Sequence, residues 1–367
     1  MKRRSVICLV GLALTAAAVL LLLSVSPRGE RLPGAEGAQG RLVRVWLVSS
    51  VGGGESWLRA CLKDWEAAHP GVMTYLRAGS AEELVREDAV LPDILLYTPG
   101  DLAAPERLFT PLSGTEIIRE PLLRCGRWRG QQYGLPLCYG GYVLAIHGAL
   151  EPQHAATPAP TTQLGRPAAT ASPDATATPG FPLAAAQKAD TPLGCPRGAA
   201  GFTLACLLSP EERPALREPA PAPAEAYRCF LAQQASAAML TTGQVTALEG
   251  VAASGKGFAY RVLTPSEVIT DQVWLGSLFP GAGEDAASLL AHLISPAAQK
   301  RLASQGLYTV REDLKLYASG VPGLMERAAA RSLTAISAYV DPDEVNSAAW
   351  QVLSGREGLS AALIPLL

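Results

Sequence analysis

The chain has 367 residues, more than one hydrophobic core usually holds, so two domains or lobes are expected. Apolar residues make up 49% of it and charged residues 17%, the proportions of a folded protein. Setting aside residues 1–26 removes three of the 31 basic residues and leaves 28 against 33 acidic ones, a net charge of −5 with no basic stripe, which argues against nucleic acid as a partner.

Lys2, Arg3 and Arg4 precede an apolar run from Val6 to Leu23 broken only by Thr15. That is the pattern of an export signal. The run of 18 residues reaches the lower limit for spanning a bilayer. The small-residue site at Ser24-Val25-Ser26 is followed by Pro27, which disfavours cleavage, and the second candidate site, Ala35 to Ala38, lies far from the run. The lipoprotein cysteine that should follow the run is missing, since Cys8 lies inside it. Residues 1–26 are therefore expected to act as an N-terminal membrane anchor or an inefficiently cleaved signal peptide, with a linker at 27–40 and the remainder outside the cytoplasm. Six cysteines fall in the exported part, Cys61, Cys125, Cys138, Cys195, Cys206 and Cys229. An even number permits disulfides without requiring them, and Cys61, on an apolar helix face, is expected as a buried thiol. Neither a C-x-x-C spacing nor clustered histidines suggests a metal, and no cofactor is expected.

From Leu42 to Val48 the residues are β-branched, aliphatic and aromatic, a strand signal that ends in Ser49-Ser50-Val51-Gly52-Gly53-Gly54-Glu55. Trp57, Leu58, Cys61, Leu62 and Trp65 then recur at helical spacing until His69-Pro70-Gly71 stops the helix. A strand over Val72 to Leu76, an acidic helix around Ala81 to Glu87 and a strand from Asp93 to Tyr97 complete a βαβαβ pattern, the signature of a parallel sheet. Ligands in such sheets sit beyond the carboxyl ends of the strands, here the loops Ser49 to Glu55 and Tyr97 to Asp101. The glycine run at 52–54 lacks the lysine and Ser/Thr of a phosphate loop and reads first as a tight strand-to-helix turn, with specific anion binding as the lesser reading. Glu55 suits the first turn of the helix that follows.

The stretch Arg127 to His147 carries a turn at Trp128-Arg129-Gly130, a Gly134-Leu135-Pro136 step, the pair Gly140-Gly141 and an apolar strand from Tyr142 to Ile146. It reads as the passage from one lobe to another. Glu151 to Pro192 is dense in Pro, Ala and Thr with few large apolar residues, and predicts a long surface loop. Beyond it the pattern predicts helices over Phe202 to Leu208 and Ala222 to Leu240, then strands over Phe258 to Leu263 and Val268 to Leu278. A helix over Glu284 to Ile294 follows, restarted by Ser295 and Pro296 and stopped at Gly306, with helical pieces from Pro322 to Leu363 broken at Asp341-Pro342 and Gly355.

Several ordered blocks resemble the extracellular solute-binding proteins of ABC importers, in the carbohydrate-oriented group similar to maltose-binding protein. They are Asp64-Trp65-Glu66 through His69-Pro70-Gly71-Val72; Leu91-Pro92-Asp93-Ile94-Leu95; Gly130 through Tyr133-Gly134-Leu135-Pro136; and Ala291 through Ser295-Pro296 and Gln299 to Gly306 and Val310-Arg311-Glu312-Asp313. The resemblance covers roughly 42–147 and 230–315. It departs from the family at the Pro/Ala/Thr segment, where relatives have a substantial part of the second lobe, and at the absent lipoprotein cysteine. It implies an α/β, two-lobed, type II periplasmic-binding-protein-like fold with a hinge between lobes. Lobe 1 is expected at 41–144 plus about 258–310, and lobe 2 at 145–257 plus about 311–367, including segment 151–192.

The resemblance further implies capture of a small solute, a sugar or oligosaccharide, by hinge closure, and its delivery to the permease subunits of an ABC transporter by a monomeric protein tethered at the cell surface or in the periplasm. The ligand-binding residues it implies are Ser49, Ser50 and Glu55 after the first strand, Tyr97 and Asp101 after the third, Tyr139 and Tyr142 at the hinge, and Trp274 in the later strand, with Gly140 and Gly141 as the pivot. Some of these have plainer readings. Tyr139 and Tyr142, three residues apart, face opposite sides of a strand unless the glycines bend it. Trp274 suits a ligand platform or packing, and Asp101 can cap a helix. Trp46, Trp57 and Trp65 are at core spacing. A membrane-anchored sensor or envelope-interaction module of the same fold is the alternative function. His69, His147, His154 and His292 sit in no nucleophile elbow, zinc motif or Ser/His/Asp pattern and nothing sets two carboxylates opposite one another, so no enzyme is expected, and a glycan-active enzyme is the least favoured alternative.

Overall fold

The computed structural model describes residues 41–86, 90–113, 116–147, 196–208, 223–255 and 257–367. The expected anchor at 1–26, the linker at 27–40 and the segment 151–192 lie outside them. Of the described residues, Arg41 with Gly71–Met73 falls in one compact unit and Leu42–Pro70 with Thr74–Leu367 in a second. Within the first, the Arg41 N–H donates to the Gly71 carbonyl at 2.9 Å. Apart from the first residues of two strands, everything below belongs to the second.

Strand β1, Arg41–Leu47, buries Val43, Val45, Trp46 and Leu47, and α1, Gly54–Ala68, turns Trp57, Leu58, Cys61, Leu62 and Trp65 onto it, as their spacing requires. Cys61 is a buried free thiol whose pKa burial pushes up to about 12. Then come β2, Val72–Ala78, a single 3-10 stretch at Ala81–Val85 in place of the expected acidic helix, and β3, Ile94–Tyr97. Helix α2, Glu120–Cys125, leads into the hairpin of β4, Arg127–Trp128, and β5, Gln131–Gln132. Arg129 and Gly130, both at positive φ (49° and 80°), form its two-residue turn, the conformation a tight hairpin demands. β6, Leu135–Tyr139, and β7, Tyr142–His147, are separated only by Gly140-Gly141.

Helices α3, Ala199–Leu207, and α4, Pro223–Leu231, precede β8, Ala237–Thr241, and α5, Thr242–Ala253. The helix expected over Ala222 to Leu240 therefore ends early. Gln233 takes a positive φ of 59°, and the run Ala237-Ala-Met-Leu240, made of good helix formers, is drawn into a strand by pairing with β7. α5 then begins where the sequence was read as ending a helix: Gln244 N–H donates to Thr241 Oγ1 at 3.2 Å while Thr241 N–H donates to Gln244 Oε1 at 2.9 Å, a capping box.

The remaining elements are β9, Tyr260–Leu263; β10, Val268–Thr270; β11, Val273–Leu278; α6, Glu284–Leu293; α7, Pro296–Lys300, capped by Ser295; a 3-10 turn at Arg301–Gln305; α8, Gly320–Arg331; β12, Leu333–Ala335; α9, Pro342–Leu353; and α10, Leu359–Leu363. The strand expected over Val268 to Leu278 is split at Asp271-Gln272, whose side chains serve other partners described below.

The larger sheet has five strands in the order β2-β1-β3-β11-β6. β3 runs parallel to β1, with Trp46 opposite Leu95, and β11 runs antiparallel to β3 and β6. The smaller sheet is β8-β7-β9, with β7 antiparallel to both neighbours. β6 thus lies in one sheet and β7 in the other, and β9 in the smaller sheet is followed by β10, which pairs in parallel with β12, and then by β11 in the larger sheet. Residues 142–144 and 260–263, expected with lobe 1, pair in the smaller sheet because Leu144 is opposite Leu263. α3, α9 and α10 pack on the smaller sheet in a core that includes Phe202, Leu204, Val345, Val352 and Leu363.

Candidate functional site

The loops after β1 and β3 meet at the carboxyl edge of the larger sheet. The Ser49 and Thr98 hydroxyls are 2.8 Å apart, and the Ser49 hydroxyl donates to Asp101. Asp101 also accepts from the Thr98 N–H at 2.7 Å and the Thr98 hydroxyl at 3.2 Å. Asp101 therefore ties its own turn and the neighbouring loop together and heads no helix. The loop is covered as well: the Gly100 N–H donates to the Ala338 carbonyl at 2.9 Å, and a Cβ on Gly100 would lie 2.6 Å from Pro342 Cγ at the start of α9. Ser50 is exposed. Glu55 sits on the outer face of α1, paired with Arg59 at 2.6 Å, both half exposed.

The four aromatic residues expected to face a ligand are all buried. Trp274 is 0% exposed, donates from Nε1 to the Ser49 carbonyl at 2.8 Å and stands 6.1 Å, centroid to centroid, from Trp57. A Cβ on Gly54 would be 2.9 Å from its ring, so the third glycine of the run 52–54 serves the packing of Trp274. Gly53 supplies the left-handed turn, φ 83°, that admits α1. Tyr97, also 0% exposed, has its hydroxyl 2.9 Å from both Ser277 Oγ and the Tyr339 hydroxyl. Tyr139 packs its ring 5.2 Å from Tyr308, and burial raises its pKa to about 12. Tyr142 donates to Asp271 Oδ1 at 2.6 Å and accepts from Gln272 Nε2 at 2.8 Å, and burial and then the Asp271 charge raise its pKa. All four phenols and indoles present their faces to protein in this conformation.

Gly140 and Gly141 lie where the chain leaves one sheet for the other. The Gly140 N–H donates to the Gln272 carbonyl at 2.7 Å and its carbonyl accepts from Thr270 Oγ1 at 2.9 Å, which joins this passage to the second one, through β10. Gly141 accepts from the Thr242 N–H at 2.9 Å, and a Cβ on it would be 2.8 Å from Met325 Cε. Asp271 Oδ2 accepts from the Ala199 N–H at the start of α3 at 2.9 Å, and the Gly198 N–H donates to Asn346 Oδ1 at 2.8 Å. The two passages are thus joined by a main-chain bond from Gly140 to Gln272 and by the Thr270 side chain.

A cavity of about 390 Å³ lies beside them. Gly52 and Gly53 line it, with Ser304 and Gln305 of the turn after α7, Gly243, Gln244, Thr246 and Ala247 of α5, and Tyr227 of α4, and it is open to solvent. The lining carries amides, hydroxyls, main-chain groups and one aromatic ring, and no charged side chain. It joins elements of the larger sheet to helices of the smaller one. Sequence reasoning singled out the loop containing Gly52 and Gly53 and missed Tyr227, Gln244, Thr246 and Gln305; the pattern Thr241-x-x-Gln244 was the available signal for the start of α5. Burial raises the pKa of Tyr227, so its hydroxyl is a neutral donor at ordinary pH. Such a lining can bind hydroxyl groups and an apolar ring face, and it offers no acid and base pair for catalysis.

No protein-family profile matches the sequence, and no curated protein does. Solved structures do. The GacH receptor of Streptomyces glaucescens, solved unliganded and with acarbose, shares 14% identity at a TM-score of 0.57, covering 88% of this chain and 96% of its own. The maltose-maltodextrin binding protein of Alicyclobacillus acidocaldarius shares 12% at 0.56, covering 89% and 98%. The ABC substrate-binding protein Lmo0181 of Listeria monocytogenes, in complex with cycloalternan, shares 13% at 0.55, covering 88% and 96%. At these identities the likeness is one of fold.

Proposed function

We propose that this chain, whose fold is that of the type II periplasmic binding proteins, captures a neutral polyhydroxylated solute, a sugar or oligosaccharide, and delivers it to an ABC importer permease. One lobe is built on the larger sheet and the other on the smaller, with passages at Gly140-Gly141 and at 264–272, and the solute sits between them. The observation that carries this reading is the uncharged cavity of about 390 Å³, walled by both sheets' elements and within the range of ligand pockets. Gln305 Oε1 and the Thr246 hydroxyl oxygen suit sugar hydroxyls as acceptors, and Tyr227 suits the apolar face of a pyranose ring, while Gln244 Oε1 is taken up by the Thr241 N–H. A charged solute would meet no counter-charge among these lining residues. The function is binding, and the neighbours of this fold named above are binding proteins too. Tethering outside the cytoplasm by residues 1–26 is part of the same proposal.

The test is thermal unfolding of the full-length protein with mono-, di- and trisaccharides, polyols and small anions. A sugar is expected to raise the melting temperature in proportion to the logarithm of its concentration above Kd. Stabilisation by an anion alone, or by none of these solutes, contradicts the proposal.

A further inference from the structure

Gly243 is the second residue of α5, where its helical backbone has no need of glycine. Glycine favours a helix less than alanine does. Its surroundings supply the reason that its conformation does not. A methyl group on Gly243 would lie 3.2 Å from the Gly52 carbonyl oxygen and 3.4 Å from that of Gln305. Gly306 meets the same helix: a Cβ there would be 2.3 Å from Thr246 Oγ1, 2.8 Å from the Thr242 carbonyl oxygen and 3.0 Å from Gly243 Cα. Gly250, on the exposed side of α5, has nothing within 4 Å of its Cβ position. The contact is main chain against main chain, so it is made without any contribution from a solute. It also borders the cavity, since Gly52, Gln305 and Gly243 line it.

We propose that Gly243 is a backbone stop that sets how closely α5 approaches the β1 loop and the Gln305-Gly306 turn, and so fixes the height of the 390 Å³ cavity. Resting on the solute-capture reading, this makes Gly243 the residue that sets the width of the space open to a solute between α5 and the β1 loop.

Amide hydrogen exchange of the full-length protein, with no solute added, tests the stop by comparing Gly243→Ala with Gly250→Ala, the same chemical change on the same helix. Gly243→Ala is expected to speed exchange at 51–54 and 303–307, and Gly250→Ala to leave both at wild-type rates. Equal rates in the two variants overturn the proposal. If Gly243→Ala also loses protection across β7 and β8, Thr246→Ala replaces it: that change adds no volume, removes the hydroxyl against which Gly306 closes, and is expected to speed exchange at 303–307, with an unchanged rate there overturning the stop. Failure of the stop is read in these rates, and failure of solute binding in the melting-temperature panel.

Discussion

The carboxyl edge of the larger sheet ends in two regions built from similar residues and put to different use. Around β3, Ser49, Thr98 and Asp101 bond to one another, Trp274 seals them from behind, and Pro342 covers them at Gly100. Around Gly52 and Gly53 the loop has no side chains to fill the space, and α5, held off by main-chain contact, leaves a cavity edged by Tyr227, Gln244 and Gln305. Polar and aromatic side chains at strand ends are therefore a weak sign of a site when complementary partners stand one loop away. The site proposed above lies instead where glycines face the start of a helix.

Trp274→Ala should separate the two regions most sharply. Emptying a fully buried indole costs about 3–5 kcal/mol of stability, measurable as a lower denaturation midpoint, whereas a loss below about 1 kcal/mol would return the ring to the status of an open platform. Asp101→Ala comes next: three donors lose their acceptor, at a cost of about 1–3 kcal/mol, while the affinity for a stabilising sugar stays at the wild-type value. On the other side of the comparison, Tyr227→Ala should weaken that affinity by about 1 kcal/mol, roughly five-fold in Kd, with little change in stability because the ring is only half buried. Calorimetric titration of the two variants side by side would break the comparison if Asp101→Ala, and not Tyr227→Ala, lost the sugar. Smallest is Glu55→Ala, which removes an exposed pair with Arg59 and should change stability by less than about 0.5 kcal/mol and affinity not at all.

The β1-α1 unit was legible in the sequence because a β-branched and aromatic run is followed by apolar residues at helical spacing, and Trp57 and Trp65 lie where that spacing puts them. The hairpin at Arg129-Gly130 and the Ser295 cap were legible from turn and cap chemistry. The passage between sheets at Gly140-Gly141 was legible from the glycine pair flanked by apolar runs. β8 was not, because Ala-Ala-Met-Leu has the composition of a helix and becomes a strand only through β7. Nor could the burial of Trp274 be read: β11 lies between β3 and β6 and is covered on both faces, so alternation along the strand no longer separates inside from outside. The cavity residues come from four separate elements, the β1-α1 loop, α4, α5 and the turn after α7, and no local pattern joins them.

The central claim is that a solute binds at the Gly52-Gly243 end of this edge and not at the Ser49-Asp101 end. Hydrogen exchange of the full-length protein, with and without a stabilising sugar, measures this directly. Protection is expected to rise at 51–54, 241–247 and 303–306, with 97–101 unchanged. Protection gained at 97–101 and absent from 241–247 would contradict it.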